Sequence, residues 1–585
     1  MPLRLGLVLL TLAACTGDIG DRLAGEHVPD GPVWDSPAPT RAAADGGGPT
    51  TWDDTPQAPA VVNPTASPSS PSNSCGTGLD PGPAPLRRLT QEQYRNTLRD
   101  LFGEVPGLQA ALDSSSQPSE FGLVQPDVAP VELEVYQHTA ETVAAFVASK
   151  PAKLQAIAPC ATGVSKRECA RSFVQSFGAR AYRVQLPAAD TERHMALYDA
   201  GAKTSHERGI ELVLRGMLQA PRFLYRVELG TAREAGSNSI WLSGEEIAAR
   251  LSYALWNTLP DAKLSEAARA GRLDSAAGVS EIVREMLADP RGRSALRTFL
   301  ERWLHLERLE SLVKDERFYP EWTARPKLRA SLAEQATRTL DDVLEQQGGS
   351  LRALLTSSRV FVNAELASYY GVSASDAFQR IEPGDDRASG ILSLPALLAV
   401  LAKPAESSPI YRGKFVREAL LCQSLPAPPP NIPKPPDVEQ GVSTRERLSQ
   451  HEVDPACSGC HQLMDPIGFG LENFDAIGRY RSQDSGATID GRGELRATRD
   501  VNGAFQGARA LGERLAGSTE VQECMTRQWF RYALARFERD VDACTLQKLS
   551  SGFARAGADL RVLPELLVTQ AAFLTRRRLD FEEKP

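Results

Sequence analysis

The stretch Cys457-Ser458-Gly459-Cys460-His461 constrains this chain more than any other. It has the C-x-x-C-H spacing of a c-type haem attachment site. The reason for the spacing is geometric. Residues i and i+3 lie on one face of a helix, so two thiols reach one edge of a flat macrocycle and add to its two vinyl groups. The histidine beside the second thiol then falls under the iron as an axial ligand. The same residues also suit a structural zinc site, a dithiol redox pair, or a disulfide that happens to precede a histidine.

The sixth iron position divides the functional readings. Low-spin cytochromes fill it with His or Met. His451 lies six residues before Cys457, across the break at Asp454-Pro455, and is the first candidate; Met525 is the second. Met464 follows His461 by three residues, which puts it on the proximal side as packing. An open sixth position is the remaining possibility. Arg479 and Arg481 are candidates for pairing with haem propionates, because a guanidinium matches a carboxylate bidentately; surface salt bridges are the alternative. His194 and His206 read as exposed or hydrogen-bonded rather than ligating.

A chain of 585 residues exceeds one hydrophobic core and implies several modules. Its 42% hydrophobic and 24% charged residues are ordinary for a globular protein. The net charge is −8 and the one short basic run near an end is Arg576-Arg577-Arg578, so no electrostatic footprint for nucleic acid is present. No G-x-S-x-G, P-loop or H-E-x-x-H motif occurs.

Residues 1–15 carry the expected address. Arg4 is followed by a short apolar core at 5–12, and Leu12-Ala13-Ala14-Cys15 resembles a bacterial lipobox with Cys15 lipidated. An ordinary signal peptide cut near Ala14 is the alternative. Thr16 rather than Asp after the cysteine implies an outer-membrane lipoprotein, facing the periplasm or the cell surface. Export permits disulfides. Apart from Cys15, Cys457 and Cys460, six cysteines remain; Cys160 with Cys169 and Cys524 with Cys544 are the expected local pairs, leaving Cys75 with Cys422.

The fold class expected is mainly α: a multi-module helical protein with a disordered N-terminal tether and a small c-type haem module. Residues 16–85, rich in Pro, Ser and Gly, form the tether. Helical modules follow at 86–160, 161–235 and 236–385. The haem module with a proline-rich strap spans 386–497, and a last helical module spans 498–585. Thr90 with Gln93 and Ser243 with Glu246 predict capping boxes. Apolar periodicity predicts helices at 131–147, 361–371, 391–401, 521–537 and 563–573. Residues 425–436 hold seven prolines, which forbids helix and imposes an extended strap.

Several stretches carry a resemblance. They run from Arg88-Leu89-Thr90 to Leu101-Phe102-Gly103, over 169–229, and from Leu242-Ser243 to Leu259-Pro260; the others are Arg412-Gly413 through His461 to Arg481, and 527–534. The most specific part is 457–475, with Met464-Asp465-Pro466, Gly468-Phe469 and Glu472-Asn473-Phe474-Asp475. Together these resemble large exported bacterial proteins of five consecutive domains of unknown function, with a planctomycete-type cytochrome c-like module. The resemblance implies a haem-binding exported protein and brings no established substrate. The expectation is one covalently attached haem c in a membrane-tethered electron carrier, with a protein or small molecule as redox partner. A haem oxidase or peroxidase with an open distal site is the second expectation. A non-redox surface binding protein with structural cysteines is the third.

Overall fold

In a computed structural model of the chain, the described residues are 81–82, 86–108, 128–231, 238–426, 441–448 and 457–578. All of the described elements belong to the unit Pro71–Pro585. The expected leader with Cys15, the tether up to residue 80, Cys75, most of the proline strap and His451 lie outside the described residues.

Among the described residues the protein is mainly α, with five two-stranded antiparallel ribbons. Helix starts follow their local signals. Thr90 caps Gln91–Phe102 and Ser243 caps Gly244–Leu255, each with a reciprocal capping box. The first of these helices stops at Gly103, whose φ of 68° suits a residue without a side chain. Amphipathic faces then decide the packing. The helices of residues 91–224 bury Tyr94, Leu98, Phe173, Phe177, Val213 and Met217 in one core, joined by Tyr253 and Leu259. A second core runs from Leu242 to Leu574 and draws on everything after the second module. The five modules read along the chain therefore share two cores.

Two expected helices are replaced. At 361–371 the structure has a strand, Val360–Val362, paired with Gln379–Ile381, and only then a short helix, Ala367–Tyr370. Val360 and Val362 are buried while Phe361 between them is half-buried, a period of two that a short apolar run cannot distinguish from a helical one. The closing helix of 563–573 is two short helices, Leu563–Val568 and Ala571–Leu574, broken at Thr569-Gln570. The chain then leaves as the strand Thr575–Arg577, which pairs with Ser239–Trp241. The basic run is thereby absorbed into a ribbon.

Lys314 illustrates how the second core closes. Its side chain is buried and its ammonium donates to the carbonyls of Ala399 at 2.9 Å and Lys403 at 3.2 Å, at the end of the helix Pro395–Val400. Burial pushes its pKa down to about 7, with Arg412 nearby adding to the shift. The unfolded chain therefore binds the extra proton between about pH 7 and the ordinary lysine value near 10.4, and stability rises with pH across that window. The slope expected is at most about 1.4 kcal/mol per pH unit. Urea melts of wild type and Lys314→Met at pH 7 and pH 9 check this; the variant is expected to lose the rise.

Candidate functional site: the Cys457–His461 helix

The candidate site is the first turn of the helix Ser458–Phe469, with Cys457 at its N-cap. The helix is buried from Met464 onward, whereas Cys457, Cys460 and His461 are half-buried and Gly459 is exposed. Its inner half is held by close backbone contact. A Cβ at Gly413 would lie 1.9 Å from the carbonyl oxygen of Met464, and one at Gly468 would lie 1.9 Å from that of Pro409. The helix Pro409–Phe415 thus crosses it in the opposite direction with no room for side chains at these two points. On another side, Phe505 of the ribbon Arg492–Leu495 with Gly503–Gln506 occupies the space that Cβ atoms at Gly470 and Gly493 would need.

Two wholly buried arginines secure the backbone around this helix. Arg417 donates through Nε and Nη2 to the carbonyl of Leu463 at 3.0 and 2.9 Å, and through Nη1 to Gln423. Pro466 lies inside the helix and lacks the N–H that would serve the carbonyl of Gln462, so Arg496 approaches that oxygen at 3.5 Å. Arg412 donates to the carbonyls of Leu471, Phe474 and Asp475 at 2.7, 2.8 and 2.9 Å, and meets Glu472 at 3.3 Å. Burial lowers the pKa of Arg417 to about 10 and lowers that of Arg412 as well.

The chemistry sits on the outer half. Cys457 and Cys460 are free thiols, and burial together with the neighbouring Cys457 raises the pKa of Cys460. The disulfide reading of this pair is therefore not the one the structure adopts. Every other described cysteine is in a disulfide: Cys160 with Cys169, Cys422 with Cys524, and Cys544 as well. The expected pairs Cys524–Cys544 and Cys75–Cys422 are corrected by this. The end of the Val416–Leu420 turn brings Cys422 against Cys524 of the helix Thr519–Leu534, with a Cα–Cα distance of 5.3 Å.

One turn beyond the thiols, Nδ1 of His461 is 2.8 Å from Oδ2 of Asp465. Asp465 is fully buried, and its other oxygen, Oδ1, has no partner. A carboxylate with a single hydrogen bond directs its charge at that one donor, so Nδ1 carries the proton, the ring is fixed, and Nε2 is the nitrogen for a metal. These features fit a covalently attached haem: unpaired thiols one turn apart, an imidazole oriented from its far nitrogen, and an outward first turn. Among the described residues no three of His, Cys, Asp and Glu are arranged to hold a metal ion.

The other sequence-predicted residues fall elsewhere. Arg479 pairs with Asp475 at 2.8 Å and with Glu321, and Arg481 pairs with Asp484 at 2.9 Å and Glu472 at 3.2 Å. Both guanidiniums are engaged by the protein's own carboxylates. Met464 is buried against the Pro409–Phe415 helix, and Met525 lies in the second core. His194 and His206 each meet a tyrosine, Tyr182 and Tyr198, at 3.0 Å. Sequence reasoning missed Asp465, although its place four residues after His461 puts it on the same helix face. It also missed Arg412 and Arg417, for which no local signal exists.

Five family models match the chain in succession, each described as a protein of unknown function. They are DUF1587 at residues 87–148, DUF1595 at 169–228, DUF1592 at 242–372, DUF1588 at 388–484 and DUF1585 at 502–573. The fourth contains the whole Cys457–His461 helix. No curated protein and no solved structure matches the chain.

Proposed function

We propose, from the premise that this chain carries five consecutive domains of unknown-function families, that it is a mono-haem c-type protein moving single electrons. We place it outside the cytoplasm, held by a lipid on Cys15, with a protein or small molecule as redox partner; the support is the leader-like pattern of residues 1–15. Cys457 and Cys460 are its covalent anchors and His461 its iron ligand. The observation that carries this reading is the pair of unpaired thiols, in a chain whose other described cysteines are all bonded, beside an imidazole fixed by a buried carboxylate.

Haem c, when bound, supplies a one-electron couple. The chain's part is to tune it. Asp465 sets its negative charge against Nδ1 of His461, which favours the more positive oxidation state of a metal at Nε2. Asp465→Asn keeps the shape and removes the charge. Its midpoint potential is expected to rise, by about 59 mV for each tenfold loss of preference for the oxidised form. Potentiometric titration of the two proteins checks this, and an unchanged or lower potential counts against the assignment of His461.

The same His461–Asp465 pair favours a second reading, an oxidase or peroxidase with an open distal site, because a carboxylate-held imidazole pushes electron density toward the metal. A six-coordinate low-spin ferric spectrum supports the electron carrier. A high-spin spectrum that shifts on adding cyanide supports the enzyme.

A further inference from the structure

Far along the chain from the CxxCH helix, the first and second modules are joined by a ribbon of two residues a side, Arg87–Arg88 with Tyr225–Arg226. Its register sets Arg87 directly opposite Arg226. Like charges facing each other across a strand pair repel, yet both side chains are inside the protein, 5% and 8% exposed. Two further buried arginines surround them, Arg183 and Arg250.

The partners are unevenly shared. Arg250 takes Glu228 with two parallel bonds, Nε to Oε1 at 2.8 Å and Nη2 to Oε2 at 2.6 Å. Arg183 donates to the carbonyls of Phe223 and Tyr225 at 3.0 and 2.9 Å and to the hydroxyl of Tyr253 at 3.0 Å. Arg226 lies over the Tyr253 ring, its guanidinium carbon 5.7 Å from the centroid, on the same ring that Arg183 approaches at 5.6 Å. Among the described residues no hydrogen bond or ion pair joins the Arg87 or the Arg226 side chain to another residue, and Nε of each is buried without a partner. One carboxylate faces four guanidiniums, and Arg250 already occupies both of its oxygens.

Electrostatics agrees with the geometry. Burial works against ionisation of Glu228, but Arg250, Arg87 and Arg226 outweigh it and hold the carboxyl down to about 2. Burial lowers the pKa of Arg87, with Arg250 and Arg226 adding to the effect against Glu228. The next guanidinium, Arg536, brings its own carboxylate, Asp542, in two bonds of 2.7 Å. A buried charge without a partner costs several kcal/mol, and two of them opposed on one ribbon call for an anion between them.

We propose that Arg87 and Arg226 form a binding site for a small divalent oxyanion of the phosphate or sulfate class. Each guanidinium offers paired N–H donors in the plane that such an anion accepts. The anion cancels the facing charges and so ties the strand of the first module to that of the second.

The test uses the full chain in a buffer free of multivalent anions. Inorganic phosphate, sulfate and glycerol phosphate are titrated in by calorimetry and thermal melting, with chloride at matched ionic strength as the control. One site per chain is expected for phosphate or sulfate, with a melting temperature that climbs with the logarithm of concentration. Arg87→Gln and Arg226→Gln are expected to weaken binding by about tenfold to a hundredfold. In the anion-free buffer they should be no less stable than wild type, since each removes an unpaired buried charge. Binding of glycerol phosphate as well identifies a phosphoryl group as an acceptable ligand; its exclusion identifies the free ion. Wild type that responds to phosphate and sulfate no more than to chloride overturns the proposal, whatever the variants do. So does a variant that binds as tightly as wild type.

Discussion

Arg412→Ala is expected to cost about 3–5 kcal/mol of unfolding free energy, the lower part of the range that three lost buried hydrogen bonds imply. The side chain is wholly buried and is the common donor to the carbonyls of Leu471, Phe474 and Asp475, the loop that follows the CxxCH helix. Without it three backbone oxygens lose a buried donor, each such loss costing about 1–3 kcal/mol when nothing replaces it. Glu472 would keep Arg481 at 3.2 Å and Ser407 at 2.7 Å, so its charge is not stranded. Urea unfolding checks the value. Arg492→Ala, which removes only an exposed arginine paired with Asp490, is the control and should change stability by less than about 1 kcal/mol. A loss at Arg412 no larger than at Arg492 would show that the buried arginine does not hold the loop.

The second large effect concerns the staple around the same helix. Cys422 and Cys524 close a loop of sequence separation 102 that contains the CxxCH helix and its ribbon. By chain entropy, a cross-link over so long a loop is worth about 4.7 kcal/mol. Cys160–Cys169, with a separation of 9, should be worth about 2.5 kcal/mol on the same basis. The double variant Cys422→Ser with Cys524→Ser is therefore expected to lower the urea midpoint further than Cys160→Ser with Cys169→Ser. The reverse order would mean that native contacts, not loop closure, set the contribution of these bonds.

Legibility in the sequence followed the range of the interaction. The capping boxes at Thr90 and Ser243 were readable because donor and acceptor lie within one turn. The Cys160–Cys169 bond was readable for a similar reason. Cys422–Cys524 was not, because only the packing of the Val416–Leu420 turn on the Thr519–Leu534 helix brings those residues together. Val360–Val362 reads as helix from sequence because three apolar residues fit either period, and the deciding partner, Gln379–Ile381, lies seventeen or more residues away. Arg412 and Arg417 carry no local signal, because no pattern in the sequence marks an arginine for burial among main-chain carbonyls. Arg479 and Arg481 suit either haem propionates or salt bridges by sequence alone, and in the structure Asp475, Glu321, Asp484 and Glu472 engage them. Asp465 is the instructive case. Its spacing from His461 was visible throughout, and only its burial distinguishes it from an ordinary helical acid.

We propose that the first turn of the Ser458–Phe469 helix holds one haem through Cys457 and Cys460. The most direct measurement is the intact mass and the pyridine haemochrome spectrum of the full chain, made in cells that attach haem outside the cytoplasm. A mass greater by one haem and a c-type spectrum that survives denaturation are expected, both absent from the variant carrying Cys457→Ser and Cys460→Ser. A wild-type chain that folds, carries no covalent haem and shows Cys457 and Cys460 as titratable thiols would contradict it.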